Sequence, residues 1–557
     1  MTASVCPAHS KTRSRLTICQ IKSPESAAIK SSGSRAARDK RRLKQTSLIN
    51  GRIYFRCTEI CAQADRGNFA PFGYNKAVIT CLSQQTLPML DPKLVVPGYE
   101  RQRVTSGIVH IGVGGFHRAH EAVYTDDLLM QGLANEWGIC GVGLRPEDQA
   151  MRDALLSQDC LYTLVTRDAD GDNARVIGSL VRYVFAPDDK EVVLAMLASP
   201  QTHIVSLTIT EGGYGLDAAG NPGPVFALLA DALQVRRSAG TAAFTVLSCD
   251  NLPGNGDAAK RALLAAVSNP DLAQWIEQNT ASPNSMVDRI TPQTTDADRE
   301  LVRNEFGIDD VWPVVCEPFK QWIIEDKFSD GRPPWEKVGV QFVPDVAPYE
   351  SMKLSLLNGS HFALAYLGFL AGFQTVPEVM ADPDFRLFIQ RLMDDEIAPL
   401  LPPVPGIDLA DYKTTLLHRF DNPAIKDQIS RLCQNGSGKF PQYLLPSLRR
   451  ASEQGTPCRL LTLALAGWMR YLTGVDEQGN SYAIDDPRAA ELTALAVESR
   501  RHCRPLLYVT DIFGDLGQSQ KFVGGLSAHL SKLSISGVRV ALSHALVLSS
   551  RNNSVQR

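Results

Sequence analysis

The chain has 557 residues, with 57 Lys and Arg against 60 Asp and Glu, a formal net charge of −3 and 44% hydrophobic residues. This is ordinary globular composition spread over about two to four domains; it provides no global basic field for nucleic acid or acidic lipid, and no apolar run approaches the ~20 residues of a membrane helix. The 12 cysteines are scattered, and the nearest pair, Cys57 and Cys61, has no matching His/Cys pair to complete a zinc site, so the set reads as reduced thiols of an intracellular protein, expected in the cytoplasm.

Residues 1–90 are expected to form a disordered N-terminal extension. "KTRSRLTICQIKSPESAAIKSSGSRAARDKRRLKQ" is rich in Arg, Lys and Ser, poor in acids and aromatics, and shows no hydrophobic period, so it cannot bury enough apolar area to order itself. Three readings stay open for it: an organelle transit peptide, a basic tail touching nucleic acid, or a leader without function. The lack of an apolar h-region excludes a secretory signal.

Residues 91–344 read as an α/β domain of Rossmann type. "GIVHIGVGGFHRAH" runs from an apolar strand through a glycine turn into the helix "HEAVYTDDLLMQGL", the context a dinucleotide fingerprint requires. Gly112 would permit the tight turn and Gly114 the close approach of a pyrophosphate, so Ile111, Gly112, Val113, Gly114, Gly115 and Phe116 form the candidate cofactor loop. His117 stands where the third glycine belongs. A second strand, "WGICGVGL", carries Glu147 and Asp148 at its end, where an acid would bind ribose hydroxyls, although further from the glycines than the usual ~20 residues. The alternative for these two is an acidic helix start. "HIVSLTIT" and "AFTVLSCDN" are further buried strands, ending in Glu211 and in Asp250 and Asn251. An asparagine at such an end could donate its amide N–H to a developing alkoxide. "SMVDRITPQT" adds Asp288 and Arg289; the alternative for all these strand-end residues is turn chemistry.

From residue 345 to 557 the pattern turns helical, which predicts a largely parallel sheet domain followed by a mainly α-helical one, with a cleft between them for a small ligand. The helix that opens this half, "KLSLLNGSHFALAYLG", is apolar nearly all round apart from Lys353, Asn358 and His361. At ~100° per residue these three fall within roughly 140° of one another, so they either project into one cavity or are a snorkelling lysine with two satisfied core polar groups. "YESMK" also matches the Tyr-x-x-x-Lys of short-chain dehydrogenases, but it follows the sheet instead of lying inside it.

Together, "IGVGGFHRAH", "SLTITEGGY", "SCDNLPGNG", "MVDRITPQT", "VCEPFKQWIIEDKF", "KLSLLNGSHFALAYLG" and "PGIDLADYK" resemble the polyol-specific long-chain dehydrogenases over roughly residues 90 to 550. The resemblance implies NAD(H), no catalytic metal, a small polyol or ketose as substrate, a monomer, and interconversion of D-mannitol and D-fructose. It assigns Lys353 as general base, Asn251 and Asn358 as holders of the carbonyl or alkoxide oxygen, and His361 as a substrate-orienting hydrogen-bond partner. Asp288, Arg431 and Lys439 become polyol-binding residues, Glu350 governs proton exchange between the lysine and water, and Asp148, beside Glu147, sets the NAD preference. No metal ligand, nucleic-acid partner or membrane partner is expected. Two features depart from the family: the long N-terminal stretch, and a shortened segment between "TITEGGYG" and "VRRSAG" that leaves the packing of Glu211 to Val225 in question. Two other readings therefore stay open, a relative acting on another polyol or sugar acid such as arabinitol or fructuronate, and an NAD-binding relative impaired in catalysis.

Overall fold

Five short apolar strands form the central sheet: β1 (Ile108–Ile111), β2 (Ile139–Gly143), β3 (Leu180–Phe185), β4 (Ile204–Leu207) and β5 (Thr245–Ser248). All pairs are parallel and the order is β3-β2-β1-β4-β5. Both faces are covered. Ile108, Ile139, Leu180 and Ile204 pack on one side, and Val109, Ile111, Cys140, Val142, Val205 and Leu207 on the other, which explains why these strands read as continuous apolar runs instead of alternating ones. Ile111 lies opposite both Val142 and Leu207, so the three central strands end level. Chain order reverses at β1, and the crevice beyond its carboxyl end is the place where such sheets take ligands. The structure, a computed structural model, describes residues 79–215, 222–500 and 502–553. The basic N-terminal segment, Cys57 and Cys61, and the heart of the shortened segment lie outside the described residues.

The flanks of that shortened segment are tied down. The Tyr214 hydroxyl lies 2.6 Å from both Ser248 Oγ and Asp250 Oδ2, and the Asp250 carboxylate accepts from the Ile209 and Thr210 amides at 2.9 Å. On the far side Val225 and Phe226 are buried in the sheet core.

The boundary placed at residue 90 needs correction. Thr80–Cys81 pairs in parallel with Ile308–Asp309, and Leu82, Leu87 and Leu90 are buried with Leu161, Val165, Val176, Val302, Ile308 and Val315. The basic composition upstream masked this short apolar stretch, which gains order from a partner more than 200 positions away and not from any local period. Leu82 is 2% exposed, so Leu82→Ala should cost about 2–5 kcal/mol of stability, as buried Leu truncations do. Urea unfolding reads this as a lowered midpoint at unchanged slope, and an unchanged midpoint would show that residues 79–90 are dispensable after all.

Beyond the central sheet lie β6 (Ser285–Asp288), β7 (Gln321–Glu325) and β8 (Gln341–Val343), in the order β8-β7-β6. The β6–β7 pair is antiparallel, with Asp288 opposite Gln321. A hairpin, Tyr162–Asp168 with Gly171–Ile177, joins Val314–Cys316 in a third small sheet.

The helical half starts at Ala347. The stretch singled out in the sequence is one continuous rod with a local change of pitch: an α-helix, Ala347–Lys353, a π turn, Leu354–Asn358, and a second α-helix, Gly359–Leu370. The Gly359 N–H reaches back five residues to the Leu354 carbonyl. The helix Arg459–Tyr471 packs between Gly359–Leu370 and the C-terminal helical segment Gln520–Asn553, which breaks at Gly537. Gly467 permits that closeness, since a Cβ there would sit 2.8 Å from Leu367 Cδ2. After residue 345 the described residues form only isolated β-bridges, Thr375 with Gln428 and Val475 with Ser481. Among the described residues no helix is long and apolar enough to cross a membrane.

Candidate active site

The glycine turn follows β1 directly. Gly112 has φ +96°, and a Cβ there would lie 2.2 Å from the Thr208 carbonyl oxygen; both facts demand glycine. Thr208 in turn donates its hydroxyl to the Gly112 carbonyl at 2.7 Å. At Gly114 a Cβ would meet only the Gly112 carbonyl, at 3.8 Å, so the face above the turn is open at the N-terminus of the helix Gly115–Ala119. The missing third glycine has a structural substitute. His117 is buried and stacks on His110 with centroids 3.5 Å apart and planes 11° apart, and the chain kinks at His120 before the helix Glu121–Met130. His110, His117 and Glu121 are, among the described residues, the one group whose ligand atoms are close enough to share a metal ion. Two imidazoles in nearly parallel planes cannot both direct in-plane lone pairs at one ion, as a tetrahedral site needs. The trio is a packed contact beneath the turn.

Glu147 and Asp148 stand at the end of β2. Glu147 is exposed. Asp148 accepts from the Leu144 and Arg145 amides at 3.0 Å each and meets Arg145 Nη2 at 3.3 Å, so part of its carboxylate serves the acidic helix start that was its alternative reading.

Beyond the sheet ends, a cavity of about 290 Å³ is lined by Phe116, Asn251, Asp288, Lys353, Asn358, His361, Arg431 and Lys439 among others. Every expected substrate-site residue is there, brought from β5, β6, the α–π–α rod and the segment 431–439. The π turn matters to this convergence. Its i→i+5 pattern stacks Asn358 more nearly over Lys353 than an α-helix would, so the ~140° spread expected from ideal α geometry is narrowed. Glu350 sits one turn before Lys353 and accepts from the Gly254 amide at 3.1 Å with each carboxylate oxygen.

Lys353 is 3% exposed and donates from Nζ to Asn251 Oδ1 at 2.5 Å. Because an ammonium can only donate, this contact fixes the Asn251 amide with its NH2 turned elsewhere. Burial lowers the Lys353 pKa to about 8, opposed by the charge of Asp288 and helped by that of Arg419. Burial likewise lifts Glu350 to about 7 and drops His361 to about 4. His361 packs on Phe420 at 4.4 Å, while its Nε2 and the Asn358 Oδ1 are buried with no protein hydrogen-bond partner. Buried polar atoms of this kind are costly unless something satisfies them, and both lie where the cavity could admit a hydrogen-bonding ligand. Burial would raise Asp288, but the charge and hydrogen bonds of Arg419 outweigh it and hold the carboxylate below its usual range. Arg431 is paired with Asp427 at 2.6 Å, and burial lowers Lys439.

Three further residues belong to this constellation. Arg419 bonds both oxygens of Asp288 at 2.8 Å and reaches Glu317 at 2.7 and 2.9 Å. Glu211 lines the cavity and its charge acts on both Lys353 and Lys439. Glu317 lay inside a quoted motif and Glu211 at a noted strand end, but Arg419 occupies an amphipathic helix, Leu409–Asp421, where an arginine carries no signal of its own.

Residues 106–337 match the profile of the mannitol dehydrogenase Rossmann domain, and residues 345–534 that of the mannitol dehydrogenase C-terminal domain. The chain is 49% identical to the mannitol 2-dehydrogenase of Phaeosphaeria nodorum over 485 residues, which cover 83% of this chain and 85% of that one. Among solved structures it is similar to Pseudomonas fluorescens mannitol 2-dehydrogenase in ternary complex with NAD and D-mannitol, with a TM-score of 0.79, 47% identity, and coverage of 84% of this chain and 99% of that one. It is also similar to a D-sorbitol dehydrogenase in substrate-free form, with a TM-score of 0.74, 35% identity, and coverage of 83% and 100%.

Proposed function

The chain belongs to the mannitol dehydrogenase family, and from that premise we propose that it is an NAD-dependent mannitol 2-dehydrogenase that interconverts D-mannitol and D-fructose with Lys353 as general base. The observation that carries the reading is the buried Lys353 ammonium, held on Asn251 Oδ1 at 2.5 Å inside the cavity. The Gly112–Gly115 turn, open above Gly114, fits a pyrophosphate at a helix N-terminus, and NAD+ bound there supplies the hydride acceptor. The polyol gives up two hydrogens. The C2 hydrogen leaves as hydride, and the O2 proton passes to the neutral amine of Lys353. Asn251 and Asn358 donate amide N–H groups to the oxygen as it gains alkoxide character. His361 Nε2 and Asp288 accept from substrate hydroxyls, and Arg431 and Lys439 donate to them. Glu350, beside Lys353 and near neutrality, receives the proton on its way to solvent.

The test is NADH oxidation by the purified protein with D-fructose, D-xylulose and D-fructuronate in parallel. Turnover with D-fructose at the highest kcat/KM supports the reading, and preference for another ketose overturns the substrate while keeping the chemistry. The similarity to a D-sorbitol dehydrogenase is the specific reason to include D-sorbitol in the oxidation direction.

The cofactor preference gives a separate expectation. Glu147 and Asp148 would repel a 2′-phosphate, and Asp148 also occupies Arg145. Glu147→Lys with Asp148→Ala removes both charges and frees Arg145 to meet a phosphate. The NADP/NAD ratio of kcat/KM should rise by roughly tenfold or more. An unchanged ratio in the double variant would move the discriminating acid elsewhere.

A further inference from the structure

We propose that Arg419 is a positioning residue for the reaction: it holds the Asp288 carboxylate ionised and oriented at the wall of the cavity, and through it fixes one acceptor for a substrate hydroxyl and the charge balance around Lys353. The inference rests on the proposed function and extends it to a residue that touches neither substrate nor cofactor. Arg419 comes from the helical half. It reaches across to Asp288 at the end of β6 with two bonds of 2.8 Å, and to Glu317 with bonds of 2.9 and 2.7 Å. The Phe319 ring lies 4.1 Å from its guanidinium carbon. Glu317 is itself anchored, accepting from the Ile290 amide at 2.6 Å. All three charged groups are buried, with side chains 5%, 2% and 2% exposed.

Stability alone does not account for such a triad. Buried ion pairs are often replaced by apolar side chains at no net loss, because desolvation cancels the attraction. What the triad does provide is orientation. Each Asp288 oxygen spends one lone pair on Arg419 and keeps another, and Asp288 is the member that faces the cavity. A lysine cannot reproduce this, since it is a point charge and not a planar fork that serves two carboxylates at once. The groups acting on Lys353 are Asp288, Arg419, Glu350 and Glu211, and those acting on Asp288 include Arg419, Lys353 and His120. Arg419 therefore bears on the base both directly and through its partner.

The experiment compares Arg419→Lys, Asp288→Asn and the double variant in NADH oxidation with D-fructose, with rates normalised to the concentration of sites that bind NADH. Arg419→Lys should raise KM for fructose roughly tenfold or more, the size of one charge-assisted hydrogen bond, with a smaller change in kcat and an unchanged NADH affinity. The double variant should lose no more than the worse single one, because both act through one contact. Arg419→Gln removes the cation that keeps Asp288 ionised, and losing that carboxylate's charge, a stronger influence on Lys353 than Arg419 itself, should move the apparent pKa of mannitol oxidation down. If Arg419→Lys proves unstable, Glu317→Gln loosens the same anchor from its other side and should raise KM in the same direction. Wild-type KM and pH profile in NADH-binding sites, or additive losses in the double variant, would reduce Arg419 to a packing residue. Should the wild type turn over another polyol instead, the substrate assignment fails separately, and the same variants measured on that polyol decide the role of Arg419.

Discussion

Replacing Lys353 by alanine should lower kcat by about 10²–10⁴-fold, the range that general acid–base catalysis supplies, while leaving NADH binding near its wild-type strength. The split follows from position. Lys353 lines the cavity from the helical rod, whereas the glycine turn that would hold the cofactor follows β1. The pH dependence has a defined sign. In the proposed mechanism oxidation needs the neutral amine, so mannitol oxidation should rise as pH passes through about 8, the value to which burial lowers this lysine. Reduction needs the ammonium as proton donor, so fructose reduction should fall over the same interval. In the alanine variant both limbs should flatten. Small primary amines added to the assay should restore part of the rate, because the truncated side chain leaves room in a cavity of about 290 Å³. Near-normal turnover with an unaltered profile would make Lys353 a buried helix residue and nothing more.

How much of this could be read without coordinates depends on the distance over which each signal acts. The parallel strands were legible because burial on both faces writes an unbroken apolar run into each of them, as in Ile108–Ile111 and Ile204–Leu207. The helical half was legible from its helical pattern, and Lys353, Asn358, His361, Asn251 and Asp288 from polar groups set in apolar surroundings or at strand ends, whereas Arg431 and Lys439 were assigned by the resemblance alone. Lys353, Asn358 and His361 are the clearest case. Three things were not legible. The π turn at Leu354–Asn358 has no composition of its own, because its leucines suit an α-helix equally well. The packing of Leu82, Leu87 and Leu90 depends on a strand pairing with Ile308–Asp309, which local pattern cannot reveal beneath a basic background. Arg419 is invisible for a related reason: its meaning comes from Asp288 and Glu317, each more than 100 positions away. The Asp148 contacts show the opposite hazard. The position fits a ribose-binding acid, yet its oxygens hold the Leu144 and Arg145 amides, which is the acidic helix start set beside that reading.

Asn358→Ala should cost about 2.7–4 kcal/mol of transition-state stabilisation, or roughly 10²–10³-fold in kcat, the loss seen when one oxyanion donor is removed. Asn358 is a cleaner probe of this term than Asn251. The Asn251 carbonyl oxygen holds the Lys353 ammonium, so its removal would disturb base and oxyanion support together. Asn358 has no such duty: its Oδ1 is buried without a protein partner, and it lies in the π turn that the Gly359 N–H closes on the Leu354 carbonyl. The pH profile of Asn358→Ala should therefore keep its wild-type midpoint while the whole curve drops. Asn251→Ala should both drop the curve and shift its midpoint. In the proposed mechanism the two donors act on one oxygen, so their effects should be non-additive when combined. A midpoint shift in Asn358→Ala would mean that this amide tunes the lysine instead of the alkoxide. A loss confined to KM, with kcat intact, would mean that it binds the ground state and the transition state equally and contributes nothing to the chemical step.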